Sequence, residues 1–270
     1  KARGLAFINR LIKENKLFNR FPDVLITIPR TVVLSTDIFD EFMDHNNLYS
    51  VALSDISDNE ILEKFLFAEL PGRVYQDFYA FLSVSRTHPI AVRSSSKLED
   101  SHYQPFAGIY STYMIPRIHD NKLMVKVLSD AIKEVYASVF YRGSKAYMAA
   151  TANVIDEEKM GIILQEVCGN RHGDIFYPTL SGVARSINYY PIGSEKVEDG
   201  IANIAFGLGK LIVEGGQSLR FCPKHPRKIL QLSSPDYALR DTQKEFRALD
   251  LRIESFVPST DDGVNILRLG

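Results

Sequence analysis

The sequence predicts a mixed α+β chain with helices and strands interspersed, on three observations. Apolar residues recur at helical spacing in amphipathic stretches, the longest over 121–150. Short β-branched or aromatic runs of strand length lie between them, at 90–92, 109–115 and 161–167. The two kinds do not follow the regular strand–helix repeat of a doubly wound sheet.

Taken in order, residues 3–18 place Leu5, Ile8, Leu11 and Ile12 on one stripe, with Arg10, Lys13 and Glu14 facing away. Residues 24–28 read as a short strand stopped by Pro29, and Thr36 or Asp37 can cap a helix through Phe39, Phe42 and Met43. Helices are expected over 59–68 and 72–85. Ile90-Ala91-Val92 is a short strand that leads into Arg93-Ser94-Ser95-Ser96, small hydroxyl residues unsuited to a core, and 109–115 returns as a strand. The 121–150 helix carries Val125, Leu128, Ile132, Val135 and Val139 in register, with a bend near Gly143. A buried strand follows at 161–167, two strands around Ser181-Gly182 at 174–190, and another at 201–206. Gly207-Leu208-Gly209 precedes a short helix ending at Gly215-Gly216; 219–222 is a last short strand, and 231–270 is charged and weakly periodic.

With 270 residues, 45% of them hydrophobic, the chain can bury a large core. A formal net charge of −1 from 32 basic and 33 acidic residues gives no basic footprint for nucleic acid or an acidic membrane surface. No apolar run approaches membrane-spanning length, and no basic-then-apolar leader opens the chain. Cys168 and Cys222 stand far apart without C-x-x-C spacing, which fits a reduced, cytoplasmic setting. The start at Lys1 rather than Met reads as a fragment of something longer. The composition sets no oligomeric state.

Chemistry concentrates in AVRSSSKLEDSHYQPFAGIYST, residues 91–112. Arg93 supplies a planar fork of donors that matches phosphate oxygens. The neighbouring hydroxyls and backbone N–H groups can surround the same anion, and Gly108 lets backbone approach a ligand closely. From spacing alone a surface loop is an equal reading, with Arg93 neutralised by Glu99 or Asp100. No histidine pair with a carboxylate has metal-ligand spacing, and no G-x-S-x-G supports a hydrolase.

AVRSSSKLED followed by FAG and a threonine resembles the AVRSSATAED…FAGQ-x-x-T signature of the phosphoenolpyruvate synthase and pyruvate phosphate dikinase family. Weaker similarities follow the family's order: Lys1-Ala2-Arg3-Gly4-Leu5 to GGKGANL, 162–167 to VVVQRMV, Ser181-Gly182-Val183 to SGV, and 206–209 to WGLG. The resemblance implies an α+β, ATP-grasp-like, two-lobed nucleotide fold, C-terminally incomplete. Its expected parts are a first lobe over 1–115 with the AVRSSS phosphate loop, a second over 116–230 with strands returning to the first, and a charged tail over 231–270. Carried over by position, Lys1 and Arg93 hold ATP phosphates and act as the catalytic cations. Gly108 and Thr112 belong to the loop covering the phosphates, and Gln165 sits at the hinge against adenine and ribose.

ATP and Mg²⁺ are the implied cofactors, and a phosphohistidine swivelling domain elsewhere in the full-length chain is the implied partner. The product would be a phosphotransferase acting on pyruvate or a related acceptor, with this stretch inactive alone. Departures include Ile109 and Ser111 in the covering loop and Lys210 in place of the acid after WGLG. The metal-binding D-I-E and the L-Q-x-R-P stretch are expected beyond Gly270, since Arg252 stands where the first acid should be. These departures keep open a non-catalytic nucleotide-sensing module derived from the same domain.

Overall fold

The computed structural model describes residues 1–96, 98–100, 109–151, 158–252, 254 and 256–270. The chain forms two compact units, Lys1–Val167 with Arg252–Val264, and Cys168–Leu251 with Asn265–Gly270. Its helices and antiparallel sheets make it α+β, the class expected from the sequence.

In the first unit a four-stranded antiparallel sheet has the order β1 (Thr31–Leu34), β4 (Met160–Glu166), β2 (Ile90–Ser96), β3 (Thr112–Ile115). The strand expected at 24–28 is replaced by β1 on the other side of Pro29. There, Thr31 to Leu34 pair residue for residue with Gln165 to Ile162, whereas 24–28 has only the isolated Phe21–Val24 bridge. Strand β2 is longer than the apolar trio suggests. Arg93 to Ser96 continue it, because each pairs with β4 from Ile163 back to Met160.

One sheet face is covered by helices α2 (Thr36–His45) and α6 (Asn121–Ser138), and α4 (Asp58–Phe67) and α5 (Val74–Val84) pack against α6. Ile90, Val92, Ile162, Leu164 and Leu34 join Phe39, Phe42, Phe65, Phe78, Leu128 and Ile132 in a single core. Helix α4 starts at a capping box, Ser57 Oγ accepting from the Glu60 N–H and Glu60 returning to the Ser57 N–H, which is worth about 1 kcal/mol. The helical pattern expected over 121–150 is interrupted rather than bent. α6 stops at Ser138, the Ser144 hydroxyl donates to the Ser138 carbonyl at 2.6 Å, and a second helix, α7 (Arg142–Ala150), follows. That bond satisfies one of the terminal carbonyls a helix leaves open. The amphipathic helix α1 (Ala2–Glu14) buries none of its residues.

The second unit holds two antiparallel sheets. One orders β11 (Ile266–Leu269), β10 (Phe246–Asp250), β6 (Ile175–Tyr177) and β5 (Asn170–His172); the other orders β7 (Ser181–Arg185), β8 (Ile201–Ala205) and β9 (Leu219–Phe221). Tyr177, Phe206 and Phe246 meet edge to face at centroid distances of 4.8–5.3 Å. Gly207 has φ +84°, and an added Cβ would come within 2.7 Å of the Arg247 carbonyl, so its place in the WGLG-like run is dictated by packing. The 231–270 stretch is more ordered than its weak periodicity suggests. It supplies α9 (Pro235–Asp241), capped by Ser234 on the Tyr237 N–H, as well as β10 and β11. Among the described residues no helix is long and apolar enough to cross a membrane.

Candidate functional site

Strand β2 lies between β4 and β3, so the backbone at Arg93 is fixed on both sides, opposite Ile163 and opposite Thr112. Alternation sends Ile90 and Val92 into the helix-covered core. Ala91, Arg93 and Ser95 therefore share the other face with Ile163, Gln165, Thr31, Val33 and Thr112, their cross-strand partners. Three of the residues singled out from the sequence, Arg93, Thr112 and Gln165, are thus brought together on one sheet face.

Arg93 is half-buried, and its Nη1 donates to Gln165 Oε1 at 3.0 Å. Among the described residues it forms no ion pair. Burial pulls its pKa below the ordinary arginine value, and only the more distant charge of Glu99 opposes this. Glu99 is committed elsewhere: its carboxylate accepts from Lys1 Nζ at 2.5 Å, from Ser94 Oγ at 2.8 Å and from the Ser96 N–H at 3.1 Å. Of the two acids the surface-loop reading assigned to Arg93, Glu99 serves Lys1, and the Asp100 side chain lies outside the described residues. Lys1 also reaches Ser94 Oγ at 3.3 Å, and the Ala2 N–H donates to Ser95 Oγ at 3.3 Å, which seats the start of α1 on β2.

Gln165 is buried, with both ends of its amide engaged. Its oxygen accepts from Arg93, and its nitrogen donates to Thr31 Oγ1 at 2.9 Å. Each end keeps one further site, an oxygen lone pair and an N–H, but both existing bonds hold the amide in place between Arg93 and Thr31. Thr112 opens β3, and its N–H donates to Asp262 Oδ2 at 2.7 Å. Beside it the Tyr113 hydroxyl donates to the Ser259 carbonyl at 2.7 Å, so the returning segment Arg252–Val264 is strapped along β3. Gly108 lies outside the described residues, as does the rest of 101–108.

A guanidinium with a neutral partner, partly withdrawn from water on a sheet face that also carries Ser95, Thr31 and Thr112, is suited to an anion with several oxygens. Thr31 and Asp262 were not singled out from sequence. The first sits in a strand hidden behind Pro29, and the second reaches Thr112 across 150 positions. Among the described residues no three His, Cys, Asp or Glu side chains gather to hold a metal ion. The described residues therefore offer no ready set of ligands for Mg²⁺.

Residues 1–231 match the family described as "Pyruvate phosphate dikinase, AMP/ATP-binding domain". The chain belongs to that family. It is 28% identical over 190 residues to the uncharacterized phosphotransferase YvkC of Bacillus subtilis (strain 168), a match covering 70% of this chain and 20% of the relative. It is 23% identical over 204 residues to the rifampicin phosphotransferase of Bacillus cereus (strain ATCC 14579), covering 70% of this chain and 22% of that protein. The chain thus spans about a fifth of the length of these relatives.

Proposed function

We propose that this chain binds the triphosphate of ATP on the Arg93 face of the first sheet, as the nucleotide domain of a dikinase-like phosphotransferase. One observation carries the reading. Arg93 is partly desolvated yet, among the described residues, bonded to a neutral amide alone, which leaves its charge for a ligand. A structural arginine in such a place is ordinarily paired with a carboxylate. Lys1, Thr112 and Gly108 complete the proposed phosphate set, and Gln165 enters it through Arg93. In the full-length protein ATP would be cleaved to AMP, one of its two terminal phosphoryl groups going to water as phosphate and the other being held on a histidine of another domain before passing to pyruvate or a related acceptor. Arg93 and Lys1 would stabilise the charge spread over the transferring oxygens. Mg²⁺ carried in with ATP would neutralise part of that charge.

The test is thermal protection of the chain by nucleotides. ATP is expected to raise the melting temperature, modestly at millimolar concentration as mass action requires, and adenosine is expected to leave it unchanged. Equal protection by adenosine would place binding on the base and ribose and remove the phosphate site. The 270 residues alone are expected to release no AMP and phosphate in a pyruvate-dependent manner. A nucleotide sensor without transfer chemistry is the second reading. Lys210, where the family carries an acid, favours it, and phosphoryl transfer by the full-length protein would exclude it.

A further inference from the structure

We infer that Thr31 is a positioning residue for Arg93, acting through Gln165, and that Gln165 holds the arginine rather than reading the base. The inference rests on the phosphate-binding reading of Arg93 and extends it to two residues outside the phosphate contact. Three hydrogen bonds form a directional chain. Arg93 Nη1 donates to Gln165 Oε1 at 3.0 Å, Gln165 Nε2 donates to Thr31 Oγ1 at 2.9 Å, and Thr31 Oγ1 donates to the Pro29 carbonyl at 2.8 Å.

Donor and acceptor rules fix every member. A guanidinium only donates, so the amide oxygen must face it. The amide nitrogen then faces Thr31, whose one proton is already given to a carbonyl that can only accept. The Thr31 lone pairs are left to receive Gln165. Turning the amide over would set two donors face to face at Arg93.

The strand register supports the same chain. Thr31 pairs directly with Gln165, and Arg93, opposite Ile163, lies on the diagonal two residues along β4, within reach of long side chains. Pro29, just outside β1, anchors the far end with its carbonyl. An amide used at both ends and buried in the sheet face is a brace, and its effect falls on whatever Arg93 binds.

The experiment is calorimetric titration of the chain with inorganic tripolyphosphate and with ATP, for wild type, Thr31→Val and Thr31→Ser. Valine keeps the shape and deletes the hydroxyl. Thr31→Val is expected to weaken both ligands by the same factor, about three- to tenfold, the worth of one neutral hydrogen bond. Thr31→Ser is expected to bind both within about twofold of wild type, because the acceptor and its proton are retained. A loss confined to ATP would assign Gln165 to the base and overturn the inference, and so would unchanged binding of both ligands by a folded Thr31→Val. If Thr31→Val does not fold, Gln165→Leu replaces it: equal losses for both ligands uphold the brace, and unchanged tripolyphosphate binding overturns it. The underlying reading fails differently, through an Arg93→Met chain that binds tripolyphosphate as wild type does.

Discussion

Arg93→Met is expected to bind ATP about 10- to 100-fold more weakly than wild type, the equivalent of one charge-assisted hydrogen bond of about 1.5–3 kcal/mol. Methionine keeps much of the stem's packing while deleting charge and donors. The expected effect on folding is the discriminating part. Removing the guanidinium leaves the buried Gln165 oxygen without its donor, a cost of about 1–3 kcal/mol. It also removes a charge that burial disfavours and that no described carboxylate pairs, which offsets that cost by a comparable amount. The variant is therefore expected to melt close to wild type while losing ATP. A structural arginine would give the reverse, a large drop in stability with ATP affinity per folded molecule retained. Melting and ATP titration on one preparation distinguish the two.

Glu134→Gln is expected to stabilise the protein, and the gain is expected to grow with pH. Glu134 lies on α6 with no side-chain exposure, and neither carboxyl oxygen makes a hydrogen bond of ordinary length among the described residues. Burial pushes its pKa up to about 9, with the charge of Asp130 adding to the rise, while the Ser259 backbone and the Tyr113 hydroxyl lie near enough to oppose it. In the unfolded chain the group titrates near the ordinary glutamate value of about 4.3. Between these two values the folded protein holds a proton that the unfolded chain has released, so stability falls as pH rises through that window. The slope for one such group is about 1.4 kcal/mol per pH unit. Glutamine does not titrate, so the variant gains about 3 kcal/mol over wild type on going from pH 5 to pH 7. Denaturant unfolding at pH 5, 6, 7 and 8 measures the difference. A difference that stays constant with pH would show that Glu134 is ionised in the folded protein.

Helices α1, α2, α4 and α5 were legible because each carries its own local signal. The stretch around Ile61, Leu62 and Phe65 has helical spacing and a Ser57–Glu60 box at its start, and the helix begins within a residue of the expected position. The Arg93 motif was legible through its chemistry, though its conformation was not. Serines are weak strand formers, so Arg93 to Ser96 read as a loop, but pairing against the buried strand β4 overrides that preference. β1 was hidden because four residues after a proline carry little periodicity, and only their partners on β4 define them.

Long-range pairings left no trace in spacing. Glu99 looked like the natural neighbour of Arg93 and instead takes Lys1, 98 positions away. The Thr31–Gln165 bond spans 134 positions. Glu134 shows a further gap: an amphipathic pattern predicts one buried stripe, whereas α6 is enclosed widely enough to bury Lys133 and Glu134 as well. The Arg93 motif was therefore readable from residue types as a candidate phosphate site, whereas its bond to Gln165 needed the sheet.

The sheet face carrying Arg93 is the proposed seat of the triphosphate. A crystal structure of the chain with a non-hydrolysable ATP analogue tests it most directly. A phosphate oxygen is expected within hydrogen-bonding distance of the Arg93 guanidinium, with the Gln165 amide still bonded to Thr31. A nucleotide bound with its phosphates away from Arg93, or an Arg93 turned to pair with a carboxylate, would contradict it.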